Sequence, residues 1–380
     1  MKGRAFPSGM PSPSVEEADR LARGVLRQRL RVRPKENVMI ETYPSSLPWA
    51  TGFVREARRL GARPLLVYED ERSYWTAVEE GQAAIVGSPG EHEWGALGAS
   101  DVYIYFWGPE DVARRWRLPE KETHQLFAFN SKWYQIARKA GVRGARMGIA
   151  RVTEANARLF GVPLGTWREH FYRSSTRDPS AVRPAALRLA RRFEQGRSIR
   201  IRHPNGTDLT LGLAGRKATV SIGEVTPEGR KSAFGSMASI PEENVYVAVD
   251  ESTAEGTFVA NRRTTSTMPP PLEGGRFTFR DGRLVGSAFR RGGSTFRVAY
   301  KAAGPGRERP SFVEIGLDPT VEGAPLLEES ELGAVTVGVG GNAGFGGKNK
   351  VNFLAYLTLA GAGVSIDGRP VARGGRLAGA

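Results

Sequence analysis

Hydrophobic and polar positions alternate in two different textures along the chain. Up to about Gly196, apolar residues recur at three- and four-residue spacing, broken by short apolar runs. The box Ser14-Val15-Glu16-Glu17 opens a helix with Val15, Ala18, Leu21, Ala22, Val25 and Leu26 on one face. Asn37–Glu41 and Pro64–Tyr68 are short buried strands around a helix over Pro48–Leu60, which turns Phe53, Val54, Ala57 and Leu60 inward and stops at Gly61. Ala83–Val86, Val102–Phe106 and Arg146–Val152 are further strands. Lys132–Lys139 is a helix closed by Gly141, and Thr153 caps another that ends at Gly161. Strands alternating with helices predict a doubly wound, mainly parallel sheet.

Beyond an arginine-rich helix over Ser180–Gln195 the period drops to two. Ile199–Arg202, Leu209–Leu213 and Ala218–Ile222 read as strands joined by glycine turns such as Asn205-Gly206. Phe277–Phe279, Leu284–Ala288 and Phe296–Tyr300 continue the pattern. The expected architecture is an α/β N-terminal domain (14–196) and a β-rich α+β C-terminal domain (197–380), behind a short Gly/Pro/Ser-rich tail (1–13) with no secretory character.

The stretch Phe312–Tyr356 stands out. Glu314 sits alone among Phe312, Val313 and Ile315. Val335, Val337 and Val339 then alternate with small residues, beside a loop rich in glycine (Gly338 to Gly347). Glycines between strands allow close backbone approach, to other backbone or to a ligand.

Composition removes several chemistries. The chain of 380 residues has no cysteine, so disulfide and thiol chemistry are out. No apolar run is long enough for a membrane span. A net charge of +15 raises nucleic-acid binding, but the arginines are spread along the whole length and no nucleic-acid motif accompanies them. The charge instead suggests a bias toward small anionic ligands. No nucleophile elbow, Walker loop or well-placed dinucleotide fingerprint is present; Gly338-x-Gly340-x-x-Ala343 lies in a β context. All four histidines, His92, His124, His170 and His203, precede residue 204. His92, in Glu91-His92-Glu93-Trp94, reads as part of a solvated loop, and His170 as structural.

The chain resembles the thermophilic metallo-aminopeptidases of the aminopeptidase T type. The resemblance runs from Ala18 to about Val371. It rests on VRPKENVMIE, FVREARRLGARPLLVYEDE and IRIRHPNGTDLTLGLAGR, then on ASIPEENVYVAV, FVEIGLDP, LGAVTVGVGGNAGFGGKN and SIDGRPV, in that order. The lack of cysteine fits a cytoplasmic location. The resemblance implies a homodimer and two divalent metal ions, such as zinc or cobalt, in the β domain. Two glutamates, two histidines, an aspartate and a tyrosine would hold them. Carried onto this chain, the first glutamate falls on Asn244, with Glu243 beside it, and the second on Glu314. The first histidine falls on Thr336 and the tyrosine on Ala343. The closing His-x-Asp pair falls on Leu354 and Tyr356. The related dihydroxypyridine ring-opening dioxygenases keep a histidine and a His-x-Asp pair for iron, which this chain lacks as well.

One glutamate with threonine and asparagine does not hold a pair of zinc or cobalt ions. The expectation is therefore an aminopeptidase-T-like protein with a degenerate metal site. It would be a metal-independent binder, or a repurposed enzyme, for a small, anionic or peptide-like molecule. Glu314 would be the base and Tyr356 the acid. Glu243, Asn244, Thr336, Asn342, Lys348 and Asn349 would contact the ligand in a positive cleft between the domains. The alternative is an active metallo-aminopeptidase that takes its ligands from His92, His124, His170 or His203. Neither nucleic acid nor membrane is an expected partner.

Overall fold

A computed structural model describes residues 12–227, 229–231, 235–264 and 271–378. Most of the tail expected over 1–13 lies outside the described residues. The chain divides into two compact units. One runs through Asp178 and adds Gly223–Pro241; the other takes Pro179–Ile222 and Glu242 onward. The division thus comes at Asp178 rather than near Gly196. The helix Pro179–Gln195 belongs with the second unit because Val182, Ala186, Leu189 and Phe193 pack into that unit's core.

The first unit is built on a parallel five-stranded sheet in the order Arg63–Tyr68, Asn37–Thr42, Val102–Phe106, Arg143–Met147, Met237–Ile240. Ser14 caps the first helix with the reciprocal Glu17 bond of a capping box. Ala18, Leu21, Ala22, Val25 and Leu26 are buried, but Val15 is 66% exposed because it occupies the first helical position, outside the packed face. Gly141 and Gly161 end their helices in the left-handed conformation.

Three local readings change. Ala83–Val86 is a single helical turn, not a strand; Ala83 packs in a small cluster with Trp75, Val78 and Leu126. The strand expected over Arg146–Val152 starts earlier, at Arg143, and gives way to a 3-10 turn at Gly148–Arg151. His92 lies in the helix Glu91–Gly98, exposed, not in a loop.

The second unit holds two antiparallel sheets, one of eight strands and one of five. Phe296–Tyr300 is not a strand: it lies in the helix Gly293–Ala302, where the two rings stack one turn apart at 5.5 Å. The five-stranded sheet runs Leu354–Leu359, Val335–Gly340, Pro310–Gly316, Asn244–Ala248, Thr219–Ser221. Alternation sorts its side chains. Val245, Val247, Val313, Ile315, Val335, Val337, Val339, Ala355, Leu357 and Leu359 join the core that also contains Ile199, Leu209 and Phe258 of the larger sheet. The intervening residues face the other way. Among the described residues no helix is long and apolar enough to cross a membrane.

Candidate functional site

Glu314 stands at the centre of that second face. It is paired in register with Tyr246 on one side and Thr336 on the other, and Thr336 is opposite Thr358. One step along the sheet in opposite directions, Asn244 faces Gly316 and Tyr356 faces Gly338. Four of the residues singled out in the sequence, Asn244, Glu314, Thr336 and Tyr356, therefore share one surface, together with Leu354. The two runs, Pro310–Gly316 and Val335–Gly340, pair with each other, on either side of an acidic segment that carries Glu322, Glu328, Glu329 and Glu331. The glycine loop follows the second run and leads to the last strand.

Gly338 is needed here: a Cβ on it would come within 2.5 Å of the Phe312 ring. Phe312 stacks on Phe345 of the glycine loop at 4.6 Å and meets Tyr356 edge-on at 5.9 Å. Tyr246 meets Phe345 at 5.4 Å. Four aromatic rings thus meet one another on this side of the sheet, where Glu314 is 7% exposed.

Burial pushes the Glu314 carboxyl well above the ordinary carboxylate range, and the negative charges of Glu329 and Glu242 push in the same direction. Burial likewise raises Tyr356, which also hydrogen-bonds Glu329 and feels Glu314 and Glu328. Burial, then Glu242, take Tyr246 to about 12 against its bond from Thr219. The strongest charges acting on Glu314 are negative, so the positive setting expected from the net charge is not found at this face. Arg262 holds Glu331 of the same acidic segment through two contacts of 2.6 and 2.7 Å.

The remaining sequence-predicted residues serve the loops. Asn342 donates to Glu251 and to the Ser311 carbonyl, and accepts from the Asn349 amide. Asn349 donates to the Gly306 and Gly340 carbonyls. Lys348 gives its backbone N–H to Glu251. None of these bonds reaches Glu314. Glu243 is buried just before Asn244; its amide donates to Ser330 and its carbonyl accepts from Leu317, tying down the acidic segment. Asn244 donates to Glu242 at 3.4 Å, and its own oxygen is buried without a hydrogen-bond partner.

Sequence reading missed Tyr246, Glu242 and Glu329. Period two would have found Tyr246 and Glu242, which flank Asn244 at two-residue spacing on the same side of the chain. Glu329 comes from an irregular segment, and no pattern signals it.

Comparison with known proteins now bears on the metals. The family described as thermophilic metalloprotease (M29) matches residues 189–299. Wild-type AmpT from Thermus thermophilus has the same fold: TM-score 0.71 at 18% identity, covering 95% of this chain and 99% of that one. The family resemblance holds. A 2,5-dihydroxypyridine dioxygenase from Pseudomonas putida KT2440 also shares the fold, with TM-score 0.61 at 16% identity over 97% and 99% of the two chains. No curated protein sequence matches at a significant level.

Metal pairs held by such a family need imidazoles and several carboxylates. Among the described residues no three His, Cys, Asp or Glu side chains are grouped to hold an ion. On the Glu314 face the carried-over positions offer Asn244, Thr336, Leu354 and Tyr356. His203 sits on the other sheet, where its ring accepts from the Asn205 amide. His92, His124 and His170 belong to the first unit. These donors do not fit a pair of transition-metal ions.

Proposed function

We propose that this aminopeptidase-T-like chain binds a small peptide-like molecule through a protonated amine, without a metal, at the Glu314 face. The observation that carries the reading is the setting of Glu314. It is a buried carboxyl framed by tyrosines and a threonine, and its strongest electrostatic neighbours are the carboxylates Glu329 and Glu242. Such a site disfavours an anion and favours a cation. The anionic ligand suggested by net charge is therefore set aside, and the peptide-like one kept.

The proton also bears on catalysis. A carboxyl held protonated by burial is a hydrogen-bond donor in the ligand-free protein, not a ready base. Tyr356, raised by the same burial, is a weak acid. An arriving ammonium would draw the proton off Glu314 and form a charge-assisted pair with it. Binding is thus the better-supported activity of this geometry.

Calorimetry with leucinamide tests it. Binding should release about one proton, read from titrations in two buffers of different ionisation enthalpy. N-acetyl-leucinamide, which lacks the amine, should bind at least about tenfold more weakly. Glu314→Gln should remove both binding and proton release. Equal affinity for the acetylated and free amides would sink the reading.

A further inference from the structure

We propose that the carboxyl-terminal mouth of the first unit's parallel sheet is a second binding site, for a small planar aromatic acid. The strand order places a topological switch between Asn37–Thr42 and Val102–Phe106, since the chain steps to one side for its second strand and returns to the other for its third. Open α/β sheets take ligands at the carboxyl ends of the strands at such a point.

The side chains there mix packing with polar groups. The register sets Val67, Glu41, Tyr105, Arg146 and Ser239 in one row on one face. A step earlier in the strands, that face carries Met39, Tyr103 and Met237, which pack against Leu97 and Ala137 of the covering helices. Val67 and Tyr105 of the row pack against the edge of that apolar seat, and Glu41, Arg146 and Ser239 add a carboxyl, a guanidinium and a hydroxyl beside it. All five members of the row are only partly buried.

Aromatic rings surround the row. Tyr103 and Tyr105 lie nearly parallel, with centroids 6.4 Å apart. Tyr105 meets Trp107 at 5.5 Å, and Trp133 meets Tyr103 at 5.1 Å. The Arg151 guanidinium lies 3.9 Å over the Trp107 ring. With Tyr103 buried beneath them, the half-buried rings of Tyr105, Trp107 and Trp133 and the stacked cation form a platform for a planar ligand.

The two ends of the row differ in charge. Arg146, oriented by the Tyr134 hydroxyl at 2.7 Å, lies on one side of Tyr105. Glu41, which accepts the Tyr103 hydroxyl, lies on the other. Burial, helped by Glu69 and Glu93 and opposed by the Tyr103 bond, lifts Glu41 to about 7. Below about pH 7 it therefore presents mostly a neutral, hydrogen-bonding carboxyl. Two strand spacings, about 10 Å, separate Glu41 from Arg146. That span fits one ring, with its acidic group on Arg146 and a polar substituent on Glu41.

The probe is 4-hydroxybenzoate, titrated into the full chain at pH 6.5 and followed by calorimetry and tryptophan fluorescence. Saturable binding with a Kd of about 1 mM or tighter is expected. Benzyl alcohol (ring without acid) and cyclohexanecarboxylate (acid without aromatic ring) should each bind about tenfold more weakly. Arg146→Gln should weaken 4-hydroxybenzoate about tenfold, Arg146→Lys should retain part of the affinity, and Glu314→Gln should leave it unchanged. No saturation by about 10 mM in the parent, or equal binding by a folded Arg146→Gln, overturns the proposal. Loss of binding in Glu314→Gln, with Arg146→Gln unaffected, would assign the ligand to the other unit and overturn it equally.

Discussion

Asn342 donates its side-chain N–H to Glu251 at 2.9 Å across 91 positions of sequence, and so ties the glycine loop to the strand edge beside Ser311. Glu251 also receives Arg216 at 2.6 Å and the Lys348 amide at 2.8 Å. Burial alone would raise its carboxyl, but these donors outweigh it and bring it down to about 2. A folded-state value below the unfolded 4.5 means that the unfolded chain binds the extra proton. The stabilisation is therefore full above about pH 4.5 and lost as pH falls toward about 2. Glu251→Gln should lower stability at pH 7 by about 2–3 kcal/mol and flatten the acid limb, measured by urea unfolding at pH 7 and pH 3.

Glu314 carries the opposite sign. Its folded-state proton affinity is raised, so the folded chain keeps a proton that the unfolded chain loses. Stability should fall as pH rises above the unfolded value of 4.5 and toward the raised folded one. Glu314→Gln should therefore melt higher than the parent at pH 8 and equal to it at pH 4. A variant that melts lower at pH 8 would mean that Glu314 is stabilising as an anion, contrary to the setting described above.

Thr336 and Thr358, both fully buried, share one hydroxyl–hydroxyl bond of 2.9 Å next to Glu314. Removing either hydroxyl orphans the other. Thr336→Val or Thr358→Val alone should cost about 1–2 kcal/mol, whereas the double substitution should cost little. A double-mutant cycle by denaturant unfolding should give a coupling of about 1 kcal/mol. Strict additivity would show that the bond contributes nothing.

How much of this was legible follows from which residues obey a period. The capping box, four of the five parallel strands and the runs around Glu314 and over 335–339 obey one, and the sequence reading places them within a few residues; the fifth parallel strand, Met237–Ile240, is four residues long and escapes that reading. Phe296–Tyr300 misleads because aromatic residues suit both strands and helices, and only the stacking of Phe296 on Tyr300 one turn later decides. Ala83–Val86 is too short for either period to register. At the site, Glu314 was found because it is a lone carboxyl in an apolar strand, and Asn244, Thr336 and Tyr356 because the family resemblance carries metal positions onto them. The sign of the local charge was not, because it depends on Glu329, delivered by a segment without periodicity.

The metal positions can be tested by reversal. Asn244, Thr336, Leu354 and Tyr356 share a face with Glu314. Asn244→Glu, Thr336→His, Leu354→His and Tyr356→Asp together should create zinc binding with a Kd of about 1 μM or tighter where the parent has none comparable. Plasma mass spectrometry and a competing chelator read the outcome. A folded variant that takes up no zinc would show that the carried-over register is wrong.

The excursion of Gly223–Pro241 into the first unit has a consequence for the order in which the protein can be made. The last strand of the parallel sheet, Met237–Ile240, docks beside Arg143–Met147 only after the second unit's opening hairpin has been synthesised. As the chain leaves the ribosome, the first unit must wait with one sheet edge open and Met147 uncovered until Ile240 emerges. An unpaired strand edge is where nascent chains associate wrongly. Translation pauses or truncations between Asp178 and Ile240 are thus the points at which this protein is most exposed to aggregation and most dependent on chaperones.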